Sequence, residues 1–230
     1  MNFVHLGAGA GDLDQRANFR CGFTEFIKKN SKVKDKIYLV EANFKNIAKL
    51  KKSYYNFKNA RIINMAITDR AEIHKIKMFY TEDDAPHYQT CSCDKEHVLK
   101  HYPNSFIKSF DVHATTINNL FTMNNIREVD FLSIDLEGID YEILMSLELD
   151  KFNVKNISIE FLHLTKRQKR NIVNHLLNFG YTYCGFGYDH NNFDFLFRKK
   201  KILLNVFLSK FLWIVGKKHL KYFNKVIFKD

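Results

Sequence analysis

A chain of 230 residues that is 46% apolar is long enough to bury one core and too apolar to remain disordered. Its 36 Lys and Arg against 25 Asp and Glu give a net charge of +11, which favours anionic partners and argues against an acidic, self-repelling chain, yet a Lys-, Asn-, Ile- and Phe-rich low-GC genome produces the same excess without selection for binding. Two prolines, no Gly/Ser-rich tract and no internal repeat predict one domain without a linker; four cysteines without a disulfide framework and no secretory signal at the N-terminus predict a reducing, cytoplasmic setting.

In chain order, Asn2 to Leu6 is a short apolar run ended by glycine, the pattern of a buried strand. A helix is expected from Asp12 to Lys29, its acidic start matching the positive end of the helix dipole. "KIYLVEAN" (Lys36 to Asn43) is the second strand, a helix runs on through Tyr54, and "ARIINMAI" (Ala60 to Ile67) is the third strand. "AEIHKIKMFY" (Ala71 to Tyr80) alternates weakly, as an additional edge strand would. The least regular stretch runs between Tyr80 and Thr115 and is long enough to be a lid or an acceptor-binding insertion.

Val129 to Asp135 and Lys155 to Phe161 are two further apolar strands flanking a helix from about Asp140 to Leu147. A helix from Thr165 to Phe179 ends at Gly180, and Tyr181 to Lys200 reads as a hairpin about the turn-forming Asp189-His190-Asn191-Asn192. Strands alternating with helices imply an α/β fold whose sheet is mostly parallel and covered on both faces, with an antiparallel C-terminal hairpin.

"FVHLGAGAGDLD" (Phe3 to Asp14) places Gly7, Gly9 and Gly11 between the first strand and the first helix, where bare backbone N–H groups can approach a nucleotide-like ligand. The spacing is G-x-G-x-G, not the G-x-G-x-x-G of dinucleotide-binding enzymes, and no Gly-Lys-Ser/Thr comes after it as in a P-loop. Glu41 ends the second strand, where an acid can bind ribose hydroxyls.

These segments together with "INMAITD", "TTINNL", "VDFLSIDLEGIDYEIL" and "ISIEFLHL" resemble, in order from Phe3 to about Lys200, the FkbM family of class I S-adenosylmethionine-dependent methyltransferases. The resemblance implies a Rossmann-like domain over residues 1–200 with S-adenosylmethionine as cofactor. Gly7, Gly9 and Gly11 would line its methionine and ribose part, Glu41 would hold the ribose, Met65 and Ala66 would lie near the adenine, and Asp135 would face donor and acceptor. His5 stands where the family has an acid, and a second Gly-Ala replaces Gly-Ala-Asn.

Transfer to a hydroxyl needs alignment and a proton acceptor. Asp135, Glu160 and His163 fall at the ends of the fourth and fifth strands, on the same sheet edge as the glycine turn, and are the catalytic candidates, with His163 suited to general-base work. Asp135 and Glu160 can also hold Mg²⁺. Glu137 is expected to cap the next helix and brace the loop. Cys91 and Cys93 with His87, His97 and His101 lack a standard zinc spacing, so no metal site is assigned; His87, Tyr88 and His113 are candidate substrate contacts.

The expected acceptor is a small sugar or nucleotide-linked sugar for capsule or lipopolysaccharide, and the positive charge would suit an acidic or phosphorylated one. The basic tail, residues 201–230, is too short and too interrupted to span a bilayer; it is expected to pack on the domain or in a homodimer, with peripheral contact to the inner membrane as the alternative. Two other functions compete: a nucleic-acid methyltransferase or binding module drawn by charge, although no nucleic-acid domain is recognisable, and a degenerate membrane-associated binding protein in which His5 has weakened cofactor binding.

Overall fold

Alternation of buried residues to opposite sides of each strand builds a sheet with a core on both faces, as parallel strands require. The computed structural model describes residues 1–13, 21–85, 88–187 and 194–199. Its strands are β1 (Asn2–Leu6), β2 (Lys36–Val40), β3 (Ala60–Ile63), β4 (Ala66–Thr68), β5 (Lys75–Thr81), β6 (Ile107–Thr116), β7 (Glu128–Val129), β8 (Phe131–Ile134), β9 (Asn153–Val154), β10 (Asn156–Glu160), β11 (Tyr181–Phe186) and β12 (Asp194–Lys199). Its helices are α1 (Gly22–Asn30), α2 (Phe44–Ser53), α3 (Lys95–His101), α4 (Ile117–Met123), α5 (Asp140–Ser146) and α6 (Lys166–Asn178).

Seven strands form the main sheet in the order β11-β12-β10-β8-β1-β2-β3. β3, β2, β1, β8 and β10 are joined by parallel pairings, while β12 runs antiparallel to both β10 and β11. On one face Val4, Leu6, Val40, Leu132, Ile134 and Ile157 pack with residues of α4, α5 and α6, including Phe121, Leu144 and Leu176. On the other, Phe3, Ile37, Leu39 and Phe131 meet Phe23 and Ile27 of α1 and Leu50 of α2. Each such side chain contributes about 1.5–3 kcal/mol by leaving water.

The structure corrects three expectations. The helix expected from Asp12 begins at Gly22, capped by Cys21, while Gly11–Leu13 is a single 3-10 turn in which the Asp12 carboxylate is taken by Ser53 and Lys28. The single strand expected over Ala60 to Ile67 divides in two. The Asn64 amide donates to the carbonyls of Glu41 (2.8 Å) and Ala42 (3.0 Å), which ends β3 and turns the chain into β4. β4 then pairs not with the main sheet but with β6, which also pairs β5, so the strand expected as an extra edge belongs to a separate three-stranded sheet, β4-β6-β5. Residues 80–115 carry α3 and most of β6. The turn at residues 189–192, His87 and the tail lie outside the described residues. Among the described residues no helix is long and apolar enough to cross a membrane.

Candidate active site

From β1 the chain fills the sheet in both directions, to β2 and β3 on one side and to β8 and β10 on the other, so β1 and β8 bound a topological switch point. Ligands of open α/β sheets bind in the crevice beyond the carboxyl ends of such strands. Here the crevice is a cavity of about 350 Å³, a volume typical of a small-molecule pocket. Its lining includes His5, Gly7, Gly9, Gly11, Glu41, Met65, Ala66, Asp135, Glu160 and His163, so every cofactor and catalytic candidate from the sequence reaches this one space.

The glycines are required for different reasons. At Gly7 (φ +79°) a Cβ would lie 1.5 Å from the carbonyl oxygen of Asp135, so the glycine lets the turn after β1 press against the end of β8. At Gly9 (φ +54°) a Cβ would meet nothing within 4 Å: the backbone there faces open cavity. Gly11 packs against Ser53 of α2.

The Gly9 N–H donates to Glu41 Oε2 at 2.7 Å, and the Asn43 N–H donates to Oε1 at 2.7 Å. Glu41 is 7% exposed, and burial raises its pKa to about 7 against the pull of these two donors and of the Asn46 side chain. The residue thus ties the turn after β1 to the end of β2, and Asn43 goes on to cap α2. His5, earlier on β1, is buried with its ring 4.5 Å from that of Phe23.

Beyond β8 the loop Asp135 to Gly138 forms the opposite wall. Burial, and then the nearby Glu160, raise the Asp135 pKa well above the usual carboxylate range. The carboxylate that braces this loop is Asp140, which accepts from the N–H groups of Leu136 (2.7 Å) and Gly138 (3.2 Å); burial lifts its pKa to about 6. The expectation for Glu137 is therefore corrected. In a left-handed conformation (φ +52°) Glu137 turns away from α5, and its Oε2 lies 3.3 Å from His97 Nε2 and 3.4 Å from His163 Nε2. Burial alone would raise its pKa, but the two imidazoles outweigh it and hold Glu137 at about 2.

His97 and His101 come from α3, within the segment that the sequence marks as irregular. Asp94 caps this helix, Val98 is fully buried, and the buried Asp84 fixes the surrounding chain by accepting from Thr90 N–H (2.8 Å), Thr90 Oγ (2.9 Å) and Tyr102 OH (2.8 Å). Ser92 Oγ then donates to the Glu137 carbonyl at 3.1 Å, joining the segment to the loop after β8. The rings of His97, His101 and His163 lie with centroids 4.9 to 5.9 Å apart. Burial and the neighbouring His97 lower the His101 pKa.

Two donor groups result among the described residues: His97, His101 and His163, and Glu137, Glu160 and His163. Neither includes Asp135, so Mg²⁺ on Asp135 and Glu160 finds no support in the donor geometry, and neither includes Cys91 or Cys93, which line the cavity without joining the histidines. Tyr88 also lines it, its hydroxyl held by Glu82, while His113 is exposed on β6 and does not. The sequence assigns Glu137 only a capping and bracing role and sets His97 and His101 aside with the cysteines; the fold brings all three to His163. The four-residue spacing of His97 and His101, one helical turn, is the available signal.

The profile of the methyltransferase FkbM domain matches residues 6–188. No curated protein matches the chain. Among solved structures, it is similar to the fibrillarin pre-rRNA processing protein of Methanococcus jannaschii (13% identity, TM-score 0.42, covering 87% of this chain and 67% of that one). It is also similar to Aeropyrum pernix fibrillarin, solved with natively bound S-adenosyl-L-methionine (11%, TM-score 0.43, 86% and 64%). A third is the precorrin-6y C5,15-methyltransferase of Geobacter metallireducens (12%, TM-score 0.42, 87% and 80%). The chain spans about two thirds of the length of the two fibrillarins. With a family profile matched from the end of β1 past β11, on a Rossmann-like sheet, the chain belongs to the FkbM family of S-adenosylmethionine-dependent methyltransferases.

Proposed function

We propose that the protein methylates a hydroxyl oxygen of a small, uncharged, polyhydroxylated acceptor of the sugar type. The observation that carries this reading is the charge of the cavity. The carboxyl groups of Glu41, Asp135, Glu137 and Glu160 line it, of which Glu137 is held ionised while burial shifts Glu41 and Asp135 toward the neutral form, and no described lining residue is a lysine or arginine, although the chain as a whole is at +11. Such a pocket attracts a sulfonium cation and disfavours phosphate, which argues against a phosphorylated acceptor or nucleic acid. Within that chemistry a building block of capsule or lipopolysaccharide is the acceptor we favour.

The cavity fits the cofactor in a specific respect. A carboxylate accepts about four hydrogen bonds; the backbone takes one at each oxygen of Glu41 and the Asn46 side chain a third, so capacity remains for a ribose hydroxyl beside the open backbone of Gly9. Met65 and Ala66 would flank the adenine; His5 and Gly7 would floor the cleft. S-Adenosylmethionine supplies an electrophilic methyl carbon, which the acceptor oxygen takes as the carbon–sulfur bond breaks and its electrons stay on sulfur. Asp135, Glu160 and His163 face the acceptor side, orient its hydroxyls and take the proton it loses. Residues 80–115, held to the loop after β8 by Ser92, would shape the acceptor subsite.

Calorimetry with S-adenosylhomocysteine tests the cofactor half: saturable binding is expected, weakened at least about tenfold in Glu41→Ala. Transfer of labelled methyl is expected to neutral glycosides. Label appearing in RNA instead, with binding that falls steeply with salt, would replace the acceptor assignment.

A further inference from the structure

The imidazoles gathered around Glu137 form more than a proton acceptor requires. His97 and His101 stand one turn apart on α3, His163 lies just beyond β10, and their ligand nitrogens lie within 4.8 Å of one another. Glu137 Oε2 faces two of them, at 3.3 and 3.4 Å. In a tetrahedral zinc shell, with metal–ligand bonds of about 2.0–2.1 Å, neighbouring ligand atoms are about 3.3–3.4 Å apart, the same separation. His97 adds an independent sign. Its side chain is 9% exposed, and its Nε2 meets Glu137 Oε2 at 3.3 Å as an ion pair outside good hydrogen-bond geometry. A cation placed between nitrogen and carboxylate would give this buried nitrogen a well-aligned partner.

We propose that His97, His101 and His163 bind one divalent transition-metal cation of the zinc type, with the Glu137 carboxylate, 3.3 and 3.4 Å from two of these imidazoles, beside it to complete the shell. Three imidazoles with one carboxylate suit zinc, cobalt or iron(II); magnesium and calcium call for oxygen ligands throughout. Glu160, grouped with Glu137 and His163, is placed to add a further oxygen or to orient the shell. Except for His97, these residues also line the cavity, so the cation stands at its acceptor wall. Its use there rests on the methyl-transfer reading: a Lewis acid beside the acceptor hydroxyl eases loss of the hydroxyl proton. His163 is then held as a ligand, and Asp135 or Glu160 takes that proton.

The test uses the full-length chain stripped by chelation and titrated with Zn²⁺ by calorimetry, then with Co²⁺ followed by visible absorption. One Zn²⁺ per chain is expected, with Co²⁺ bands of a four- or five-coordinate nitrogen and oxygen shell. His101 is exposed, so His101→Ala keeps the fold; it should weaken Zn²⁺ at least about tenfold, and Glu137→Gln likewise. His74→Ala, at an exposed histidine outside the cluster, should leave the affinity unchanged. Absence of stoichiometric binding, affinity indifferent to His101→Ala, or effective competition by Mg²⁺ would overturn the assignment. S-Adenosylhomocysteine binding by the same zinc-free chain keeps the two readings apart: cofactor binding without a zinc site refutes only this inference, and a zinc site without cofactor binding supports it while refuting the methyl-transfer reading.

Discussion

The wall of the cavity at Gly9 and Glu41 is made by the ends of two adjacent strands, joined by a hydrogen bond from backbone to carboxylate. The wall at Glu137 is assembled from a helix at residues 95–101, a loop after β8 and a turn after β10, held together by side chains. The first depends on backbone conformation and needs glycine; the second depends on packing of the segment between β5 and β6. Substitutions should therefore fail differently on the two sides.

The largest effect is expected at their seam. Gly7→Ala forces a methyl into the Asp135 carbonyl from a left-handed backbone, so denaturant unfolding should show a loss of ~4 kcal/mol or more, or no folded protein. Gly9→Ala meets open space and should cost only about 1–2 kcal/mol of backbone strain while removing most S-adenosylhomocysteine affinity. Equal stability losses in the two variants would contradict the distinction drawn between these glycines.

Next is Glu41, whose folded pKa of about 7 lies above the ordinary 4.5. A raised pKa means that the folded state binds the proton more tightly. Its stabilising contribution is complete below pH 4.5 and is lost as pH rises through about 7, a change of about 3 kcal/mol. Glu41→Gln should flatten the stability profile over that window. Cofactor affinity should run the opposite way, rising as the carboxylate ionises to accept a ribose hydroxyl.

A smaller loss, about 2 kcal/mol by chemical denaturation, is expected for Asp140→Ala, which strands the N–H groups of Leu136 and Gly138. Because it loosens the loop under Glu137, it should weaken Zn²⁺ more than S-adenosylhomocysteine; the reverse ranking would mean that this loop does not govern the acceptor wall. The smallest effect is expected at the far end of the sheet. Lys155→Ala breaks an exposed pair with Asp130 (2.7 Å), should shift stability by under ~1 kcal/mol and should leave both ligands alone.

The same contrast explains what can be read from the chain. β1, β2, β8 and β10 bury both faces and show as apolar runs, and the glycine turn and Glu41 come directly after such strands. β6 is hidden although Phe110, Val112 and Ala114 alternate with polar residues, because neighbouring Cys, His and charged residues suggest a loop. The break at Asn64 depends on carbonyls some twenty residues upstream, which no local pattern carries. Around Gly138 the sequence offers Glu137 as the acid that caps the next helix and braces the loop. Neither Glu137 nor Asp140 caps it: Asp140, first residue of α5, reaches back to the N–H groups of Leu136 and Gly138, and Glu137, in a left-handed turn, meets histidines from elsewhere in the chain. His97 and His101 announce a shared helical face, but only the tertiary fold brings them to His163.

The absence of lysine and arginine from the described lining of the cavity bears on turnover as well as on choice of ligand. Donor and spent donor differ by one positive charge, carried on sulfur before transfer and gone afterwards. On the proposed reading, carboxylates at the cavity attract the charged donor and lose that attraction once the methyl has moved, so the spent donor is expected to bind more weakly than the fresh one.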